Sequence, residues 1–137
     1  MSDFTFPKSA RLKSRNILQR LFKEGQSCSA FPLRLVWVID PLEEGLEVQV
    51  SISVPRKKFK RAVDRNRLRR QVREAYRLAR PGLLEKMQEN GVNGRLGFMI
   101  IFTAGEAVPH DKIKTALKEN LRQMVRKIKK SGAVKPN

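Results

Sequence analysis

Residues 46–77 read LEVQVSISVPRKKFKRAVDRNRLRRQVREAYR, and the spacing of the apolar residues changes within this stretch. From Leu46 to Val54 every second residue is apolar and polar residues alternate with them, which predicts a strand with one face on the core. After the basic loop PRKKFKR, apolar residues recur at helical spacing, as one face of a helix requires. These residues are Leu68, Val72, Ala75, Tyr76 and Ala79.

Two further strands follow from the same patterns. Alternating apolar residues in FPLRLVWVID (31–40) predict a strand with Phe31 and Trp37 on its core face. The segment LGFMIIFTA (96–104) is apolar without alternation, which is typical of a central strand covered on both faces. The polar face of the sheet is expected around Arg34, Gln49, Ser51 and Ser53.

The helices are delimited by caps and breakers. A first helix is predicted over residues 14–24, with Gly25 as its stop. Pro81-Gly82 is expected to end the arginine-rich helix, with another turn or two over 83–90, and a long amphipathic helix is predicted at about 109–130. The order α-β-β-α-β-α predicts an α/β (α+β) two-layer sandwich, with helices packed on a small sheet.

Composition indicates one folded domain with a polyanionic partner. The 137 residues, of which 40% are hydrophobic, fit a single domain over 1–137, with a basic arm at 1–13 and a flexible tail at 129–137. Thirty Lys and Arg against 13 Asp and Glu give a net charge of +17. Because such repulsion destabilises a compact state, nucleic acid is the first expected partner and an anionic membrane surface the second.

Several classes of protein are disfavoured. One cysteine excludes a disulfide framework and a cysteine-based zinc site. We find neither a run of about 20 apolar residues nor the apolar core of a signal peptide, so a cytoplasmic protein is expected. The single histidine, His110, has no cysteine or acidic cluster near it in sequence. We therefore predict no catalytic residue and no metal ligand in the protein itself.

The basic segment between Arg56 and Arg80 carries twelve positive and two negative charges. A solvated helix face usually mixes lysine with glutamate at i,i+4, whereas this one is nearly all arginine. Guanidinium groups bind phosphate bidentately and stack on bases, and Asn66 can hydrogen-bond a base edge or a 2′-hydroxyl. Both neighbours of the helix are strands, which disfavours a DNA-binding helix-turn-helix and favours single-stranded RNA.

The segment RAVDRNRLRRQVRE closely resembles the arginine-asparagine-arginine signature of the bacterial ribonuclease P protein component. The similarity extends to RLKSRNILQRLFKEGQS near the N-terminus and covers about residues 7–130. The resemblance implies the order α-β-β-β-α-β-α with a left-handed βαβ crossover. It also implies a protein subunit that assists a catalytic RNA in removing the 5′ leader of precursor tRNA.

The resemblance further implies which residues bind RNA. The RNA-binding set is Lys57, Arg65, Asn66, Arg67, Arg69, Arg70 and Arg73. The leader-binding set is Leu18, Phe22, Arg34 and Val36, in which Phe22 is the one aromatic residue.

The expected partners are the catalytic RNA and precursor tRNA, with Mg²⁺ held through the RNA subunit, no membrane contact and a monomeric free protein. The protein alone is then inactive as a nuclease. The alternative is a ribosomal or assembly RNA-binding protein with no part in cleavage.

Overall fold

The computed structural model describes residues 25–40 and 45–130, which form a four-stranded sheet and two helices. The strands are β1 (Gln26–Ala30), β2 (Leu33–Asp40), β3 (Leu46–Ser53) and β4 (Gly94–Phe102). The helices are α1 (Ala62–Glu89) and α2 (His110–Lys130). The predicted helix at 14–24, the arm at 1–13 and residues 131–137 of the predicted tail lie outside the described residues.

Strand β4 is central, as its continuous apolar run predicts, because the spatial order is β1-β2-β4-β3. It pairs antiparallel with β2 and parallel with β3. Two adjacent parallel strands need a crossover connection, and α1 is the helix of that crossover. The arginine-rich helix therefore connects the two neighbouring strands β3 and β4.

Strand β1 is an element that the residue pattern did not predict, although the resemblance implied a third strand before the helix. Its sequence, QSCSA, is short and polar, and only Cys28 is buried. Residues 31 and 32 form the turn between β1 and β2, so the expectation that Phe31 lies on the core face is wrong. Phe31 is 68% exposed.

The expectation that Pro81-Gly82 ends the arginine-rich helix is also wrong, because α1 continues unbroken to Glu89. Proline lacks the N–H that would bond to residue 77, which costs about 3 kcal/mol in a helix interior. Leu83 and Met87 extend the buried stripe beyond the proline, and both are at most 5% exposed. Their burial outweighs the local preference of the sequence. At the other end of the chain, Lys129 and Lys130 belong to α2 and not to a tail.

Both described helices pack on one face of the sheet, and no other described helix or strand covers the opposite face, which is called the open face below. Trp37 and Phe98 are buried on the helix side, as predicted for Trp37, and the Tyr76 ring of α1 meets Phe98 edge-on with centroids 5.6 Å apart. Burial raises the pKa of the Tyr76 phenol to about 12. The β2 residue Arg34 lies on the opposite, open face and is exposed.

Asn120 of α2 ties the β1–β2 hairpin to the helical layer. Its side chain is fully buried, and its Nδ2 donates to the carbonyls of Ala30, Leu33 and Ala116 at 3.2, 3.3 and 2.9 Å. The Cys28 thiol donates to the Asn120 carbonyl at 3.3 Å, and burial raises its pKa to about 11. This buried polar link fixes the position of the hairpin turn.

Candidate nucleic-acid interface

The basic loop between β3 and α1 is anchored at two points. The Phe59 ring packs edge-on against Phe102 of β4, with ring centroids 5.7 Å apart. The Lys58 Nζ donates to the Thr103 carbonyl at 2.6 Å. These contacts hold the loop against the end of β4 and leave Lys57, a predicted RNA-binding residue, exposed.

Arg65 joins this loop to the first turn of α1. Its Nη1 donates to the carbonyls of Phe59 and Lys60, at 2.8 Å in each case. The N-cap residue, Arg61, makes no side-chain cap bond and lies 3.9 Å from Asp64. One arginine of the predicted RNA-binding set is thus partly engaged in shaping the loop before any RNA is bound.

Other arginines of α1 differ in whether a carboxylate accompanies them. Arg77 is paired with Glu74 at 2.7 Å, and that hydrogen bond lowers the pKa of Glu74. Arg67, Arg70 and Arg73, by contrast, form no ion pair with any other residue in the described ranges. Their charge is therefore left for an external anion.

Helical geometry divides the predicted residues between two flanks of α1. Asn66, Arg69 and Arg73 lie on one flank, where the Arg69 Nη1 donates to the Asn66 Oδ1 at 2.8 Å. This row (Asn66, Arg69 and Arg73) is called the arginine flank below. Arg67 lies on the other flank, and Arg70 points away from the sheet. Asn66, Arg67 and Arg70 are exposed, while Arg69 and Arg73 are half-buried.

The open face of the sheet is less polar than the alternation predicted. Val36 and Ile101 pack beside the buried pair Val38 and Met99 in a small apolar cluster. Arg34 is paired in register with Ile101 at the edge of this cluster. The two predicted leader-binding residues of β2 are thus on one face, and the other two, Leu18 and Phe22, lie outside the described residues.

The described residues contain no group of three or more His, Cys, Asp or Glu side chains that could hold a metal ion. Neither α1 nor α2 is long and apolar enough to cross a membrane. What the described surface offers is fixed positive charge, one exposed asparagine amide on the arginine flank, and an open sheet face with an apolar centre.

A protein-family model described as Ribonuclease P matches residues 6–89 of the chain. The chain belongs to the ribonuclease P protein family. The matched range includes every residue of the two predicted sets, from Leu18 to Arg73. The basic loop and all 28 residues of α1 lie within the matched range.

Curated ribonuclease P protein components show the same relationship. That of Porphyromonas gingivalis is 37% identical over 98 residues, covering 72% of both chains. That of Dictyoglomus thermophilum is 32% identical over 136 residues, covering 98% of both. The similarity to the second relative therefore extends through α2 and beyond the range of the family model.

Solved structures of ribonuclease P proteins share the fold. The Staphylococcus aureus protein superposes with a TM-score of 0.61 at 20% identity, covering 85% of this chain and 96% of that one. The Thermotoga maritima protein gives 0.58 at 22% identity, covering 82% and 96%. The mixed four-stranded sheet with two helices is the fold of this family.

A groove between the C-terminal halves of α1 and α2 was not predicted from the sequence. It has a volume of about 730 Å³, an apolar floor that includes Leu83 and Val125, and a rim of lysines and arginines. A signal for it exists in the sequence, since Lys118, Arg122 and Arg126 recur every four residues along one line of α2. Leu78, which is 55% exposed, lies at its edge.

Proposed function

We propose that the basic loop and the arginines of α1 from Arg65 to Arg73 bind the catalytic RNA of ribonuclease P, and that the open sheet face binds the 5′ leader of precursor tRNA. Family membership makes the chain the protein component of ribonuclease P, an endoribonuclease that acts on tRNA precursors as a ribonucleoprotein. The proposal concerns which surface of the chain meets which RNA.

One observation supports the assignment of the catalytic RNA to α1. Arg67, Arg70 and Arg73 have no carboxylate partner in the described part of the chain, on a protein of net charge +17. Arginine binds phosphate in a bidentate geometry that lysine does not reproduce. A structural helix would gain from nearby glutamates, and α1 between Arg65 and Arg73 has none.

The open sheet face is assigned to the leader because of what it combines. Arg34 supplies a cation, and the apolar cluster around Val36 supplies a surface on which unpaired bases can lie. The proposed leader site also includes Leu18 and Phe22, which are predicted from the sequence alone to bind the leader. The comparisons do not favour a ribosomal or assembly RNA-binding protein without a role in cleavage.

In this proposal Mg²⁺ is held by the RNA subunit and supplies Lewis-acid chemistry for phosphodiester hydrolysis. The protein's side chains bind and orient the two RNAs and take no part in proton transfer. We place the holoenzyme in the cytoplasm, with the free protein as a monomer.

Reconstitution tests the assignment of roles. We expect the protein alone to leave precursor tRNA uncut in magnesium, and the catalytic RNA with the protein to release the 5′ leader at the mature end. Arg70→Ala with Arg73→Ala should raise the protein concentration needed for half-maximal cleavage at low magnesium. Robust leader removal by RNA-free protein, or a double variant as effective as the parent, would contradict the proposal.

The leader assignment has its own readout. Arg34→Ala should weaken binding of the holoenzyme to precursor tRNA, while mature tRNA, which lacks a leader, should bind almost as before. Equal losses for the two RNAs would show that Arg34 does not contact the leader.

A further inference from the structure

Phe31 is a large apolar side chain at the surface, in the two-residue turn between β1 and β2. It is 68% exposed, whereas the next residue, Pro32, is buried. The turn itself is well anchored, because Asn120 bonds to the residue on either side of it. The Asn120 Nδ2 donates to the carbonyls of Ala30 and Leu33. A fixed turn thus holds an aromatic ring in solvent, which needs an explanation.

The turn lies next to the basic loop. The Thr103 N–H donates to the Pro32 carbonyl at 2.8 Å, and the Thr103 carbonyl accepts from the Lys58 Nζ at 2.6 Å. A second link runs through Leu33, which pairs in register with Phe102, against which Phe59 of the loop packs. Phe31 is therefore at the end of the sheet where the basic loop begins.

The same end of the sheet also carries Arg34 on the open face. Arg34 follows Phe31 by three residues and pairs with Ile101, one residue before the Phe102 that supports the loop. The loop cations, the exposed ring and the first cation of the open face therefore follow one another around one end of the sheet. An unpaired RNA segment that reaches this end of the sheet, from the RNA on the loop or from the RNA on the open face, would meet Phe31.

We propose that Phe31 stacks on an unpaired RNA base between the basic loop and the open sheet face. This inference rests on the proposed function. Every nucleobase has a π-face, and single strands are held by aromatic stacking together with cations along the backbone. The neighbouring cations, Lys57, Lys58 and Arg34, supply that charge, which favours RNA over an apolar protein surface as the occupant. The base belongs either to the leader or to an unpaired segment of the catalytic RNA, and the RNAs compared below distinguish these two sources.

The proposal is tested by substitutions that distinguish the aromatic ring of Phe31 from the apolar volume of its side chain. Phe31→Leu keeps an apolar side chain but removes the ring, and we expect it to weaken RNA binding about five- to 150-fold, the range that stacking energies imply. Phe31→Tyr should bind as the parent does. The matched control is Leu78→Ala, which removes another exposed apolar side chain from the rim of the groove and should leave affinity unchanged.

Binding of three RNAs, namely leader-bearing precursor tRNA, mature tRNA and the catalytic RNA, identifies the source of the base. A loss with Phe31→Leu confined to leader-bearing precursor tRNA assigns the stack to the leader, and a loss in binding the catalytic RNA alone assigns it to that RNA. Phe31→Trp adds a direct readout, since its fluorescence over that of the buried Trp37 should be quenched at saturating RNA. The proposal is overturned if Phe31→Leu binds all three RNAs as tightly as the parent, or if Phe31→Trp is not quenched. Failure of the proposed function would instead show as a parent protein that does not support cleavage.

Discussion

Arg65 and Arg73 are the same residue type on the same helix, and their surroundings assign them different roles. Arg65 donates two hydrogen bonds of 2.8 Å to loop carbonyls, so that it holds the loop against α1. Arg73 has no ion pair with another residue of the described ranges and is half-buried on the arginine flank. We therefore expect Arg65 to shape the proposed RNA-binding surface and Arg73 to form part of it.

A pair of single substitutions separates these roles. Arg65→Ala should lower the free energy of unfolding by about 1 kcal/mol, because two loop carbonyls lose the hydrogen bonds that the guanidinium group donates to them. It should also weaken RNA binding. Arg73→Ala should weaken RNA binding while the free energy of unfolding stays within about 0.5 kcal/mol of the parent. Urea denaturation and RNA titration of the same preparations check this. Equal stability of the two variants would show that the Arg65 bonds do not hold the loop.

Both arginines were predicted from the sequence to bind RNA, but the hydrogen-bond partners of Arg65 were not predicted. Those partners are main-chain carbonyls of Phe59 and Lys60, and a carbonyl has no side-chain identity that a pattern could reveal. Phe31 was misplaced for a related reason. Period-two alternation extended the strand through the turn, and only pairing with β1 shows that β2 begins at Leu33.

At the scale of the element, two glycines that look alike in sequence differ in backbone conformation. Gly82 lies in the interior of α1, and a Cβ added there would meet no heavy atom within 4 Å. Gly94 opens β4 with φ at +151°, and a Cβ there would come 2.7 Å from the Asp40 carbonyl oxygen. Gly94 is therefore required by a close approach of two backbones, whereas Gly82 is a weak point in a helix.

The two substitutions Gly82→Ala and Gly94→Ala should change the free energy of unfolding in opposite directions. Gly82→Ala should raise the free energy of unfolding by about 0.5–1 kcal/mol, because glycine loses more backbone entropy in a helix. Gly94→Ala should lower it by more than that, because the β2–β4 register must move to admit the methyl group. Thermal and urea unfolding of the two variants measure both shifts. A destabilising Gly82→Ala would mean that α1 does not continue through Pro81-Gly82.

The elements that the sequence predicted well are those with long periodic patterns. The strand at 46–54, the central strand and the final helix were placed within two residues of β3, β4 and α2. The failures, β1 and the end of α1, are places where tertiary contacts override local signals. β1 has one buried residue and depends on pairing with β2, and α1 passes Pro81 because Leu83 and Met87 find a place in the core.

At the scale of the whole molecule, positive charge is spread over more than one surface. The basic loop and the arginine flank carry part of it, and the rim of the groove between α1 and α2 carries another part, including Lys129 and Lys130. Net charge alone attracts any polyanion, so a steep salt dependence does not by itself identify the binding surface. The binding surface is identified by comparing how removal of charge from each of the two surfaces changes this salt dependence.

Removal of two charges from each surface makes that comparison at equal net charge. The logarithm of RNA affinity falls with the logarithm of salt by about 0.7–0.9 per phosphate contact, and roughly five to eight contacts are expected for the parent. Arg69→Ala with Arg73→Ala should make the slope shallower by about 1.4–1.8, the amount for two contacts. Lys129→Ala with Lys130→Ala also lowers the net charge of +17 by two and should leave the slope nearly unchanged. Affinities measured from low to moderate salt, with unfolding curves to confirm intact folding, give both slopes. Equal changes in the two double variants would mean that RNA responds to total charge and not to the arginine flank.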